Sequence, residues 1–203
     1  MRIIGLTGGI ATGKSTAAEF LREMGIPVID VDAWAHRLLL PGYPNYQLVL
    51  EHFGPGVLAA DGTIDRKLLG RIVFTDPRLL KRLEALTHPA IRAAVAGELA
   101  KLAADGESVV ILDHPLLFEM GMDSTVDEIW VVTASPVLQR SRLARRDGLT
   151  PEAVERRLAA QLPLAEKVRR AQVVLHNDGS KEELREQLVR VWKERERCDQ
   201  GSP

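Results

Sequence analysis

Apolar residues recur along this chain in two kinds of run. Short, nearly unbroken stretches rich in Val, Ile and Leu lie at 2–7 (RIIGLT), 27–30 (PVID), 109–113 (VVILD), 128–133 (EIWVVT) and 172–176 (QVVLH). Such runs suit strands covered on both faces, the setting of a parallel sheet. Between them, apolar positions return every three or four residues at 14–24, 79–104, 136–146, 150–170 and 180–197, which predicts helices. Gly25 stops the first helix and Pro27 lies just beyond it. Strand, helix and strand within so short a span make a βαβ unit, hence a parallel pair. The pattern predicts an α/β sheet with helices on both sides.

One gap breaks the alternation. Residues 31–108 separate the second strand from the third, far more chain than one crossover helix requires. Residues 33–104 therefore read as a mostly helical insertion, with turns at Pro41-Gly42, Gly54-Pro55-Gly56 and Asp61-Gly62.

The first strand runs into Gly8-Gly9-Ile10-Ala11-Thr12-Gly13-Lys14-Ser15, followed by Thr16. This fits G-x-x-x-x-G-K-[ST], and it sits between a predicted strand and a predicted helix, as a phosphate-binding loop requires. Phosphate oxygens are met by backbone N–H groups, so the loop must curl tightly, which glycines permit. The helix that starts near Lys14 aims its free amides and dipole at the anion. Lys14 can reach β- and γ-phosphates, and Ser15 can place its hydroxyl on Mg²⁺. A dinucleotide fingerprint fits less well, because the glycines do not fall as G-x-G-x-x-G.

Composition narrows the classes. Lys plus Arg number 27 and Asp plus Glu 28, a net charge of -1, which argues against a general nucleic-acid coat protein. Cys198, the single cysteine, excludes an internal disulfide and a cysteine zinc site. No apolar run reaches the roughly 20 residues of a membrane helix. The start has no signal-peptide layout, so the expectation is a cytoplasmic protein, a monomer or weak homo-oligomer, with no nucleic-acid or membrane partner. A phosphate loop serves kinases, GTP switches and motor ATPases. No N-K-x-D guanine segment occurs, and a chain of 203 residues with a long insertion fits a small-molecule kinase best. A nucleoside or nucleotide kinase on the same scaffold, and a non-enzymatic nucleotide-dependent switch, remain the alternatives.

Three further features carry candidate chemistry. Asp32 follows the second strand, at the carboxyl end where ligands of parallel sheets gather, and can orient an attacking hydroxyl. Asp30 reads as structural. Asp113 ends the third strand, where a carboxylate can help hold magnesium. Residues 135–175 hold nine basic residues (Arg140, Arg142, Arg145, Arg146, Arg156, Arg157, Lys167, Arg169, Arg170) against four acidic ones (Asp147, Glu152, Glu155, Glu166). Arg142 and Arg146 share a helix face and can close over a triphosphate. The others read mostly as a solvated surface.

At this level of detail the chain resembles the dephospho-CoA kinase family over nearly its whole length. GLTGGIATGKST resembles the family's GLTGGIGSGKST, and VIDVDAWA its I-D-x-D segment. The stretch GTIDRKLLGRIVFTDPRLLKRLEALTHPAIR contains its LE-x-x-x-HP-x-I-R pattern, and VVILDHPLLFEMG its V-x-D-x-PLLFE segment. QRSRLARRD, the Gln161 region and HNDGS resemble its lid and last-strand motifs. The resemblance implies transfer of the γ-phosphoryl group of ATP to the ribose 3′-hydroxyl of dephospho-CoA, giving CoA and ADP, the last step of coenzyme A synthesis. It implies a nucleoside-monophosphate-kinase-like fold: a five-stranded parallel core (1–32, 105–135 and 171–192), a helical CoA-binding insertion (33–104) and a lid (136–170). Position by position, Asp32 matches the proposed base, Lys14 and Ser15 the phosphate and magnesium groups, and Arg142 and Arg146 the lid arginines. His88 and Arg92, with Leu116, Leu117, Phe118 and Glu119, match segments expected near the acceptor. Asn177 and Gly179 match the loop that meets adenine. Ala11-Thr12 stands where the family has Gly-Ser, with little effect expected. His114 replaces an aliphatic residue and Gln172 an Asp, neither with a functional reading.

Overall fold

In a computed structural model, residues 1–200 are described, with side chains to Arg197; Cys198 lies outside the described side chains. Strands β1 (Arg2–Gly8), β2 (Val28–Asp30), β3 (Val109–Asp113), β4 (Glu128–Thr133) and β5 (Val173–His176) form one parallel sheet in the order β2-β3-β1-β4-β5. From β1 the chain runs to the edge strand β2, steps back to β3, then passes over β1 to β4 and β5, so the strand order reverses beside β1. Ligands of such sheets bind at the carboxyl ends of the strands beside that reversal.

Two compact units emerge, Asp30–Gly106 and the rest of the chain. In the sheet unit, alternation along β1 sends Ile4 and Leu6 to one face. There they join Ala17, Ala18 and Leu21 of α1 (Lys14–Glu23) and Leu184 and Leu188 of α9 (Lys181–Gln200) in a buried cluster. Gly5 faces the other way, where a Cβ would come within 2.8 Å of Leu117. Gln172 has a clear task. Its side-chain oxygen accepts from the Ile129 amide at 2.8 Å while its own amide donates to the Ile129 carbonyl, starting the β4–β5 ladder.

The helix expected over 150–170 is two: α7 (Pro151–Ala159) and α8 (Leu164–Arg169). Pro163 disfavours helical angles at Leu162 and removes a donor, so the chain extends there. Helix α6 (Pro136–Asp147) precedes them.

The other unit packs Val49, Val57, Ile64, Leu69 and Val73 into its own core. It comprises α2 (Val31–Arg37), α3 (Pro44–Phe53), α4 (Arg66–Val73) and α5 (Pro77–Ala104). Helix α5 starts two residues earlier than periodicity suggests, because Asp76 caps it by accepting from the Arg78 amide and Pro77 takes the first position. Pro89 cannot donate to Ala85, yet the helix continues. The turn beside it is held by Asn45, whose amide donates to the Thr87 carbonyl, and by the Thr87 hydroxyl, which donates to the Leu83 carbonyl.

Candidate functional site

The loop between β1 and α1 is held by one side chain of its own and by two from outside. The Thr12 hydroxyl donates to the Gly9 carbonyl at 2.9 Å, the Gln139 amide to the Ile10 carbonyl at 2.9 Å, and the Asn177 amide to the Thr12 carbonyl at 2.7 Å. A trans peptide points its N–H opposite its C=O, so these bonds turn the amides of Ile10, Ala11 and Gly13 to the concave side. The first-turn amides of α1, which have no intrahelical acceptor, complete an anion cradle. The glycines are sterically required. A Cβ on Gly8 would lie 2.6 Å from the Val132 carbonyl oxygen, and one on Gly13 2.0 Å from the Asn177 amide. Gly13 also has φ +95°.

Ala11 departs from expectation. Its φ of +60° is left-handed, the only such value for a non-glycine among the described residues. An alanine there costs about 1–2 kcal/mol. The exchange of glycine for alanine keeps the N–H but is not free of backbone strain.

Lys14 Nζ meets the Asp113 carboxylate at 2.5 Å, and both are largely buried, at the carboxyl ends of β1 and β3. His114, beside Asp113, is buried with Nε2 3.0 Å from the Met120 sulfur. Ser15 and Thr16 lie on the first turn of α1.

Asn177 is buried, and its amide is committed to the loop. Gly179 is exposed, with the Glu183 carboxylate folded over it.

The PLLFE segment is divided. Leu117 has no exposed surface and packs beneath Gly5, so it builds core rather than a ligand surface. Phe118 is buried under the Arg170 guanidinium, 4.1 Å from the ring centre, and Arg170 pairs with Asp123. Glu119 accepts from the Leu162 amide at 2.9 Å and pairs with Lys167 at 2.9 Å. Leu116 is half-buried. Composition alone did not mark Lys167. It is fully buried and also donates to the Pro115 carbonyl at 2.7 Å, so it ties α8 to the segment after β3. Removing one partner of such a pair costs about 3 kcal/mol, the low end because Glu119 is partly exposed. Lys167→Met should therefore lower the melting temperature by roughly 6–12 °C, measured by calorimetry; a drop below about 3 °C would show the tie to be dispensable.

The arginines of 136–170 also separate. Arg140 pairs with Glu155, Arg169 with Glu166, and Arg146 and Arg157 share Asp147. The Arg146 hydrogen bond holds the Asp147 carboxyl below its usual range. Arg146 is thus neutralised where it stands. Arg142 is different: its Nη1 is buried and meets no hydrogen-bond partner among the described residues. Asp178 accepts from the Ser135 amide, which holds its carboxyl low with a smaller contribution from Arg142.

In the helical unit, Asp32 is not on the strand. It sits in the first turn of α2, and Asp30 is the cap, accepting from the Ala33 amide at 2.9 Å. Capping separates the two, and it leaves Asp32 exposed and outside the cap. His36 lies one turn on. Burial first, then Arg66, pushes it below the ordinary histidine value, opposed by Asp32 and Asp30. Arg66 is itself lowered by burial and supported by Asp32. The four-residue spacing of Asp32 and His36 was the available signal for this cluster. His88 and Arg92 are one turn apart on α5. Burial is the main cause that holds His88 below its usual value, Glu84 opposing and Arg92 adding.

A model of the dephospho-CoA kinase family matches residues 2–183. The chain belongs to the dephospho-CoA kinase family. A dephospho-CoA kinase of Symbiobacterium thermophilum is 49% identical over 193 residues, covering 95% of this chain and 81% of that one. The crystal structure of TT1252 from Thermus thermophilus superposes with a TM-score of 0.81 at 40% identity, covering 95% of this chain and 97% of that one. A dephospho-CoA kinase from Campylobacter jejuni gives a TM-score of 0.73 at 30% identity, covering 98% of this chain and all (100%) of the other. The family is one of phosphoryl-transferring P-loop enzymes, which is what the braced loop is built to serve. No helix among the described residues is long and apolar enough to cross a membrane.

Proposed function

We propose that this protein transfers the γ-phosphoryl group of ATP to the ribose 3′-hydroxyl of dephospho-CoA, giving CoA and ADP in the cytoplasm. The observation that carries the reading is the loop at 8–15, whose carbonyls are turned outward by Thr12, Gln139 and Asn177. In this reading the loop amides and Lys14 hold the triphosphate. Asp32 orients the acceptor hydroxyl and takes its proton late, since a carboxylate is a weak base towards an alcohol. The helical unit binds the CoA moiety, with His88 and Arg92 among its contacts. The transfer is loose and metaphosphate-like, so positioning and charge neutralisation supply most of the catalysis. Arg142 suits that work, because a buried guanidinium N–H without a partner needs an acceptor.

Ser15 and Asp113 are the residues that would hold magnesium. A hydroxyl and one carboxylate suit an ion that is completed by substrate phosphates and water rather than by a protein cage. When bound, the ion supplies charge neutralisation at the β- and γ-phosphate oxygens.

The test is an acceptor panel. ATP consumption should be fast with dephospho-CoA, slow with nucleosides and nucleoside monophosphates, and negligible without acceptor. Product mapping should place the phosphate on the 3′-oxygen. Faster turnover with a nucleotide acceptor, or consumption indifferent to acceptor, would refute the assignment.

A further inference from the structure

Gln139 lies in the first turns of α6, far from the phosphate loop in sequence, and is only 6% exposed. Its amide Nε2 donates to the Ile10 carbonyl at 2.9 Å. The fit is tight: a Cβ on Gly9 would come within 2.7 Å of that nitrogen. The peptide it grips leads into Ala11, the strained residue at φ +60°. These observations bear on one peptide plane. With its carbonyl fixed by Gln139, the Ile10–Ala11 unit turns the Ala11 N–H into the cradle. Alanine gains by leaving the left-handed region, whereas glycine would not.

We propose that Gln139 is a positioning residue for phosphoryl transfer, pinning the Ile10–Ala11 peptide so that the strained Ala11 amide faces the nucleotide phosphates. The proposal rests on the reading that this loop holds the triphosphate. It makes the loop of this chain more dependent on its brace than a loop with glycine at that position would be. It also joins the loop to α6, the helix that carries Arg142.

Two measurements test it. The first uses the unaltered protein, by amide NMR during titration with ATP and magnesium. The Ala11, Gly13 and Lys14 amides should all shift. If none shifts, the phosphate-loop reading itself fails; if Gly13 and Lys14 shift and Ala11 does not, the positioning role of Gln139 fails. The second is a double-mutant cycle read by ATP affinity and by kcat. Gln139→Met removes the donor at similar volume and should weaken ATP binding about 10-fold, with a comparable loss in kcat. Ala11→Gly removes the left-handed strain, and measured against the Ala11→Gly single variant the Gln139→Met loss should be at least about 3-fold smaller, as coupled neighbours show. Equal losses in both backgrounds, or unchanged affinity in Gln139→Met, would overturn the proposal. Should Gln139→Met fail to fold, the NMR titration still decides.

Discussion

Lys14→Met should lower kcat on the order of 10³-fold, the scale seen when one preorganised donor to developing charge is removed. The ammonium has no substitute at its place. It is brought by the first turn of α1 to the carboxyl ends of β1 and β3, where little solvent reaches it. There a positive charge acts on phosphate oxygens through low dielectric, so it counts for more than it would in water. The same substitution strips the buried Asp113 of its 2.5 Å partner. Some stability is therefore lost as well, and the melting curve must be recorded beside the rate so that the two effects are separated. Steady-state turnover at saturating substrates is the measurement. A folded Lys14→Met protein that retains a tenth of the activity or more would remove Lys14 from phosphoryl transfer.

Asp32→Asn should lower kcat by about 10²–10⁴-fold, the usual range for a positioned acid–base group, with little change in the KM for ATP. The structure makes this a clean substitution. The cap of α2 is Asp30, so an amide at position 32 leaves the helix start intact. The charge change is felt locally by Arg66 and His36, which Asp32 supports. A shift in the pH profile contributed by His36 is therefore expected alongside the rate loss. A defect confined to the KM for ATP would move Asp32 away from the acceptor.

The phosphate loop was legible because its information is contiguous. Strand, glycines, Lys14 and the start of α1 occupy fifteen residues, and local geometry follows from local sequence. Strand existence was legible for the same reason: five apolar runs became β1 to β5 with ends shifted by a residue or so. The break between α7 and α8 had a local cause in Pro163 that periodicity averaged away. Asp32 shows the reverse limit. The second strand ends at Asp30 as expected, but a helix follows at once, so Asp30 caps that helix and Asp32 falls in its first turn, although the same residue stays the candidate.

What the sequence determined by itself, then, was the set of elements and the anion-binding turn, because both depend on neighbours a few residues apart. The partners were decided only in three dimensions. Asn177 reaches the loop across 165 residues, Gln139 across 129, and Lys14 finds Asp113 across 99. Which arginine is spent on a neighbouring carboxylate and which keeps a free N–H also depends on folded geometry, not composition. A hydrogen bond needs its two atoms within about 3 Å. Only the folding of the sheet brings residues so far apart along the chain to that distance.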